Sequence, residues 1–347
     1  MSLPLPRGPL SAALLRVLTG EGDVAVYAEL CAAAAASFDE VEPADVLRNE
    51  DLQLTLYLAY ELHFGGLSGV DDRLEWDAGL LGARAALEGV FERALRSGHQ
   101  PPRCSPGALP RTLFAMAAAD SGGPSLPGYV ARQASVEQVR EVLVLRAPYQ
   151  LKEGDPQTLG IPRLRGRAKA ALVEIQTDEY GGGRVDRMHA TLFAQSMRAL
   201  GLDDTPNAYL DHVPAIALAS HNALSLFAMH RRLRGALCGH LAAFEMTSSL
   251  PAKRWVSGMQ RLGLPTDASE FFDEHVEADA VHEQIAAHDL CGALVQDEPA
   301  LLEDVLLGAA TCLALDVAVA EHVLASWAAD GTALRAPLPA ARRLASA

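Results

Sequence analysis

The stretch of residues 271–282 places His275, Asp279 and His282 at offsets of four and three. On an α-helix those offsets return to one face. Two imidazoles and a carboxylate therefore share a stripe about two turns long. These are the ligand types that Fe, Zn, Mn and Co take. No Pro or Gly interrupts Phe271 to Ala287, and its Ala, Glu and Gln favour helix. Asp267 or Ser269 is expected to cap the start. The competing reading is a solvated acidic face that carries two histidines, and only the rest of the chain decides between them.

Composition extends the helical expectation to the whole chain. Aromatics are 5% of 347 residues, Ala and Leu dominate, and no run alternates as a strand would, so the expected class is all-α, a bundle of apolar helices. A formal net charge of −15 opposes general affinity for nucleic acid or an anionic membrane. Five scattered cysteines without a CxxC pair point to reduced thiols and a cytoplasmic setting. The opening residues do not read as a signal peptide. Val305 to Ala325, the most apolar run, contains Asp316, Glu321 and His322 and reads as a core helix, not a membrane span.

Helices are expected over Ser11–Leu18, Val24–Ala36, Glu50–Phe64 and Leu80–Ser97. The Pro-, Gly- and Ser-rich region from Gly98 to Pro127 marks a boundary, so the expected division is an N-terminal helical segment, residues 1–105, and a main body, 106–347. Within the body, Tyr149 to Ile161 reads as a polar loop able to line a substrate pocket. Arg167–Tyr180 is a helix ended by Gly181-Gly182-Gly183, and a second helix, Arg184–Leu200, is expected to start at once. Leu210–Met246 holds one or two long helices, in which Gly235 and Gly239 suggest close helix packing.

A two-metal carboxylate site needs about six ligands from facing helices. Glu-x-x-His pairs are missing at suitable places. Instead Glu179 and His189 sit ten apart across the triple glycine, Glu245 lies near the end of the next long helix, and His275, Asp279 and His282 follow. A regular helix would leave Glu179 and His189 about 80° apart, so both reach one site only if the chain breaks at the glycines. Glu61 and His63, about 200° apart on a helix, fit a buried hydrogen-bonding network better. Arg231, Arg232 and Arg234 read as a salt-bridged helix face, and His240 and His288 as structural.

This order of residues resembles the haem-oxygenase-like diiron oxidases and oxygenases, the iron-containing redox enzymes, over roughly residues 140 to 330. The resemblance implies a seven-helix haem-oxygenase-like core and assigns Glu179, His189, Glu245, His275, Asp279 and His282 as metal ligands. A further upstream carboxylate, which some members carry, falls on Glu153, with Glu174 on another helix face as its competitor. Tyr180, beside Glu179, is the candidate substrate contact. Two iron ions, cycling between Fe2+ and Fe3+, with O2 as co-substrate and no haem, are the implied cofactors. The implied reaction is oxidation of a small amine, amino acid or fatty acid. The alternatives are the same fold with a different or single metal, or an inactive scaffold or binding protein. The partners expected are a small-molecule substrate and, from the alanine-rich helices, a second copy in a homodimer.

Overall fold

The computed structural model describes residues 3–98, 101–120 and 125–338, without the side chains of residue 120 and residues 277–280. Among these there is no strand, and the expected all-α class holds. No helix of the described residues is long and apolar enough to cross a membrane.

The chain forms two compact units. The first comprises Met1–Gln100 and Val213–Leu226, the second Pro101–His212 and Phe227–Ala347. The break after Gln100 lies five residues before the expected boundary. Val213–Leu226, which local sequence assigns to the main body, belongs to the first unit.

The first unit contains α1 (Pro9–Leu18), α2 (Val24–Ser37), α3 (Pro43–Leu47), α4 (Glu50–Glu61) and α5 (Ala78–Gly98). Helix α4 is its centre: Leu52, Leu54, Leu56 and Leu58 are all fully buried. From Leu52 to Glu61 every residue is buried, and only the first turn, Glu50 and Asp51, meets water. Asn49 caps it by accepting the Leu52 amide at 2.9 Å. The polar Gln53 within it is satisfied by Asn222 Nδ2 at 2.9 Å. Glu61 is buried, as expected, and His63 meets Glu75 at 3.5 Å and the Trp76 ring edge-on.

In the second unit come α6 (Leu109–Asp120), α7 (Leu126–Arg132), α8 (Val136–Gln150), α9 (Asp155–Thr158), α10 (Gly166–Glu179) and α11 (His189–Ala199). Helix α12 (Ala215–Met229) enters this unit at Phe227 and is followed by α13 (Arg234–Met246), α14 (Ser249–Arg261), α15 (Thr266–Gln284), α16 (Ala293–Asp297) and α17 (Leu302–Ala328). The long Leu210–Met246 run is two helices, because His230 is extended (φ −108°, ψ 117°). Arg234, at the start of α13, is paired with Glu298, as expected for that residue, whereas Arg231 and Arg232 lie in the 3₁₀ turn before the helix.

Helices α13 and α17 form the core contact. A Cβ on Gly239 would lie 1.9 Å from the Val305 carbonyl oxygen, and one on Gly308 would lie 1.9 Å from that of Ala236. The two backbones therefore approach as closely as glycine permits, the reason for a costly residue in a helix interior. Helix α15 packs on α14, α11 and α13, with Trp255 of α14 stacked on Phe272 at 5.5 Å.

Three local expectations are corrected. Helix α15 starts at Thr266 with Pro265 as N-cap and no side-chain cap, so Asp267 and Ser269 lie inside its first turns. After Gln284 it widens into a π-helix, Ile285–Gly292. The segment from Tyr149 to Ile161 is not one loop: the end of α8 and the short α9 flank a turn at residues 151–154.

Candidate metal centre

The triple glycine performs the break that the spacing of Glu179 and His189 requires. Helix α10 ends on Glu179, and Gly181, Gly182 and Gly183 all take positive φ (60°, 61° and 82°). That left-handed region carries no penalty for glycine alone. At Gly181 a Cβ would also lie 2.5 Å from the Arg187 carbonyl carbon, so the chain doubles back over it. The expected helix from Arg184 is corrected here: Arg184 and Met188 are extended around a short 3₁₀ turn, and α11 begins at His189 itself. The reversal brings His189 Nδ1 to 3.1 Å from Glu179 Oε2.

Helix α15 supplies the next two groups. His275 donates Nδ1–H to the Phe271 carbonyl at 2.6 Å, one turn back. This leaves Nε2 facing Glu153 Oε1 at 3.8 Å. The His275 and His189 rings lie 4.4 Å apart by centroid, beside the edge of Phe271. His282, two turns on, faces Glu245 Oε2 of α13 through Nδ1 at 3.5 Å. Its Nε2 lies 2.9 Å from Asp178 Oδ2.

Two groups of potential ligand atoms result, each gathered within 4.8 Å: Glu153, His189 and His275, and Glu179, Glu245 and His282. All six residues are buried. The 3.1 Å approach of Glu179 to His189 joins one group to the other. Asp279, expected on the same stripe of α15, has its side chain outside the described residues.

Glu153 is held by a network of its own. It follows the end of α8 and precedes Gly154, whose φ of +88° turns the chain onto α10. A Cβ there would press Glu179 Cβ at 3.2 Å. Gln176 Nε2 donates to the Gly154 carbonyl at 2.6 Å and to Thr158 Oγ1 at 2.6 Å. Tyr180, expected as a substrate contact, turns its hydroxyl to Asp155 (2.8 Å) and Thr158 (2.9 Å), so it staples this turn to α10. Glu174 is exposed on α10, away from both groups. His240 packs on Phe227 and His288 on Phe114, outside both groups.

The electrostatics are those of a site built to share charge. Burial pushes the Glu153 carboxyl up, and the His275 imidazole offsets this only in part. Burial also pushes Glu179 up, but His189, His275 and His282 hold it on balance below its ordinary value. For His189, burial lowers the pKa and the Glu179 carboxylate more than reverses it. Tyr149, which sequence reasoning passed over, receives a 2.7 Å hydrogen bond from Gln157. Burial, then the carboxylates of Glu153, Glu179 and Glu245, push its phenol well up.

The donor set fits metal ions. Both oxygens of Glu153, Oε2 of Glu179 and Nδ1 of His189 are buried without an aligned hydrogen bond among the described residues. Buried polar atoms left so cost roughly 1–3 kcal/mol each. Cations bound among them would satisfy all four, and carboxylates mixed with imidazoles suit iron.

Sequence comparison matches residues 140–317, just over half of the chain, to the family of iron-containing redox enzymes. The nitrosourea synthase of Streptomyces achromogenes subsp. streptozoticus is 25% identical over 154 residues, 44% of this chain and 33% of that protein. The chain thus spans about a third of the curated relative it matches. The matched region contains all six buried residues of the two groups. With the all-α architecture, this shows that the chain belongs to the haem-oxygenase-like family of iron-containing redox enzymes.

Proposed function

We propose that this chain is a non-haem diiron oxidase or oxygenase. The observation that carries the reading is the pair of adjoining buried groups, three carboxylates and three imidazoles, joined at Glu179 and His189. Glu153, His189 and His275 hold one iron. Glu179, Glu245 and His282 hold the other, with Asp279 completing the set as the family resemblance implies. When bound, the two Fe ions supply O2 activation, and no haem takes part. The protein's own part is to exclude water from the six ligands, to fix the rings of His275 and His282 through hydrogen bonds on their other nitrogens, and to hold Glu153 through the Gly154, Gln176 and Tyr180 network.

The substrate is a small organic molecule: an amine, an amino acid or a fatty acid. A nitrosourea carries oxidised nitrogen, and the relative's name therefore favours the nitrogen-bearing members of that set. The net charge of −15 disfavours nucleic acid and anionic membrane. Five free thiols, four of them buried, fit a reducing cytoplasm, and the alanine-rich helices favour a homodimer. An inactive scaffold is disfavoured because buried, unsatisfied ligand atoms destabilise a fold that has no use for them.

The test is oxygen uptake. Protein loaded with Fe(II) without air, then mixed with aerated amines, amino acids or fatty acids, is expected to consume O2 in step with one substrate class and to modify it. Uptake equal to that of metal-free protein for every class would favour the scaffold.

A further inference from the structure

His282 has a protein group on each ring nitrogen, and the two groups differ in kind. Nδ1 faces the buried Glu245 Oε2 at 3.5 Å. Nε2 lies 2.9 Å from Oδ2 of Asp178, whose side chain is 60% exposed. An ionised carboxylate can only accept, so a neutral His282 bonded to it carries its proton on Nε2 and its lone pair on Nδ1. The two nitrogens of an imidazole point away from each other. Asp178 therefore stands behind the ring as seen from Glu179 and Glu245.

We propose that Asp178 is a positioning residue for the second metal. Its carboxylate holds His282 Nε2–H, selects the tautomer whose Nδ1 lone pair faces Glu179 and Glu245, and so sets the affinity of that group for its ion. This rests on the metal-centre reading above. A carboxylate behind a ligating histidine fixes ring orientation and raises the basicity of the ligating nitrogen. His275 is the internal comparison. Its Nδ1–H goes to the Phe271 carbonyl, so it presents Nε2 to Glu153. Two histidines of one helix thus use opposite nitrogens, with a backbone carbonyl behind the first and a carboxylate behind the second.

Sequence position explains why Asp178 is easily missed. It immediately precedes Glu179, about 100° round the helix, and spacing alone assigns it to the solvated face of α10. It reaches His282 because the π-helix that continues α15 packs against α10. Since Asp178 is largely exposed, its replacement is not expected to disturb folding.

The test uses the full-length protein, Asp178→Ala and Asp178→Asn, with two readouts. The first is long-range 1H–15N NMR of the metal-free protein under mildly alkaline conditions, with His282 assigned by comparison with His282→Gln. Wild type is expected to show Nε2 protonated and Nδ1 bare. Asp178→Asn, whose amide oxygen accepts the same hydrogen bond, keeps that tautomer, and Asp178→Ala mixes the two. The second readout is titration with Co(II). Asp178→Ala is expected to weaken one of the two ions by about 10–100-fold and spare the other, with Asp178→Asn in between. An Nδ1-protonated His282 in wild type, or Asp178→Ala binding both ions as wild type does, overturns the proposal. Wild type that takes up no Co(II) at all overturns the metal-centre reading as well.

Discussion

The reversal at Gly181–Gly183 puts an acid and a base in contact, and that contact has a proton to lose. The His189 imidazole is held above its ordinary 6.5 because Glu179 outweighs burial. A raised histidine pKa stabilises the metal-free fold at pH below the unfolded value, and this contribution disappears as pH rises through the folded value. Metal needs His189 neutral. Iron or cobalt binding is therefore expected to expel protons, and affinity to rise with pH through the window from 6.5 up to the raised value. Calorimetry in two buffers of different ionisation enthalpy checks this: the observed heats should diverge, and equal heats would contradict the shared proton. At this scale the sequence was legible wherever a period was present. The His275 and His282 stripe follows from helical spacing. Glu153 does not, because it sits in a turn between helices where no period operates, and only the family resemblance pointed to it. The pairing of Asp178 with His282 is not legible either, because its partner comes from another helix.

Helix contacts carry the second set of expectations. Gly239 and Gly308 let α13 and α17 meet backbone to backbone. Gly239→Ala would drive a Cβ to 1.9 Å from the Val305 carbonyl, and neither backbone can step aside as a side chain would. A loss of about 3 kcal/mol or more is expected. Gly82→Ala, in the interior of α5 with nothing within 4 Å of the added Cβ, should gain about 0.5–1 kcal/mol instead. Urea unfolding of both variants tests the pair, and equal midpoints would contradict the close approach. Helix α15 contributes His275 and His282 to a site whose other members come from α11, α13, the end of α10 and the turn after α8. Metal bound there would therefore tie α15 to its neighbours. Proteolysis within Thr266–His282 should slow when Fe(II) is added, and an unchanged cleavage rate would count against this. Most helices were readable from apolar period and caps. The delayed start of α11 was not, because Arg184–Met188 is helix-compatible in composition and only the doubling-back over Gly181 makes it extended. The π-helix after Gln284 likewise has no local sequence mark.

For the whole molecule, the charge balance and the all-α class were open to reading, since both sum over many residues. The membership of Val213–Leu226 in the first unit was not. It depends on pairs such as Asn222 with Gln53, 169 residues apart, and no local composition shift announces them. Every described candidate ligand lies in the second unit, so metal bound among them would stabilise that unit. At a free metal concentration of 100 times Kd the fold should gain about 2.7 kcal/mol. For a body of this size that is a rise of roughly 5–10 °C in Tm. Hydrogen exchange should slow within the second unit, and a shift absent there would argue that the ions bind elsewhere.

Two adjoining metal positions are the centre of the proposed function. The most direct measurement is a count of iron per chain after anaerobic Fe(II) loading and removal of free metal, on wild type, Glu153→Ala and Glu245→Ala. Two irons are expected in wild type, and about one in each variant, because each substitution removes a carboxylate from only one of the two groups. A wild type that retains no iron, or variants that both retain two, would contradict it.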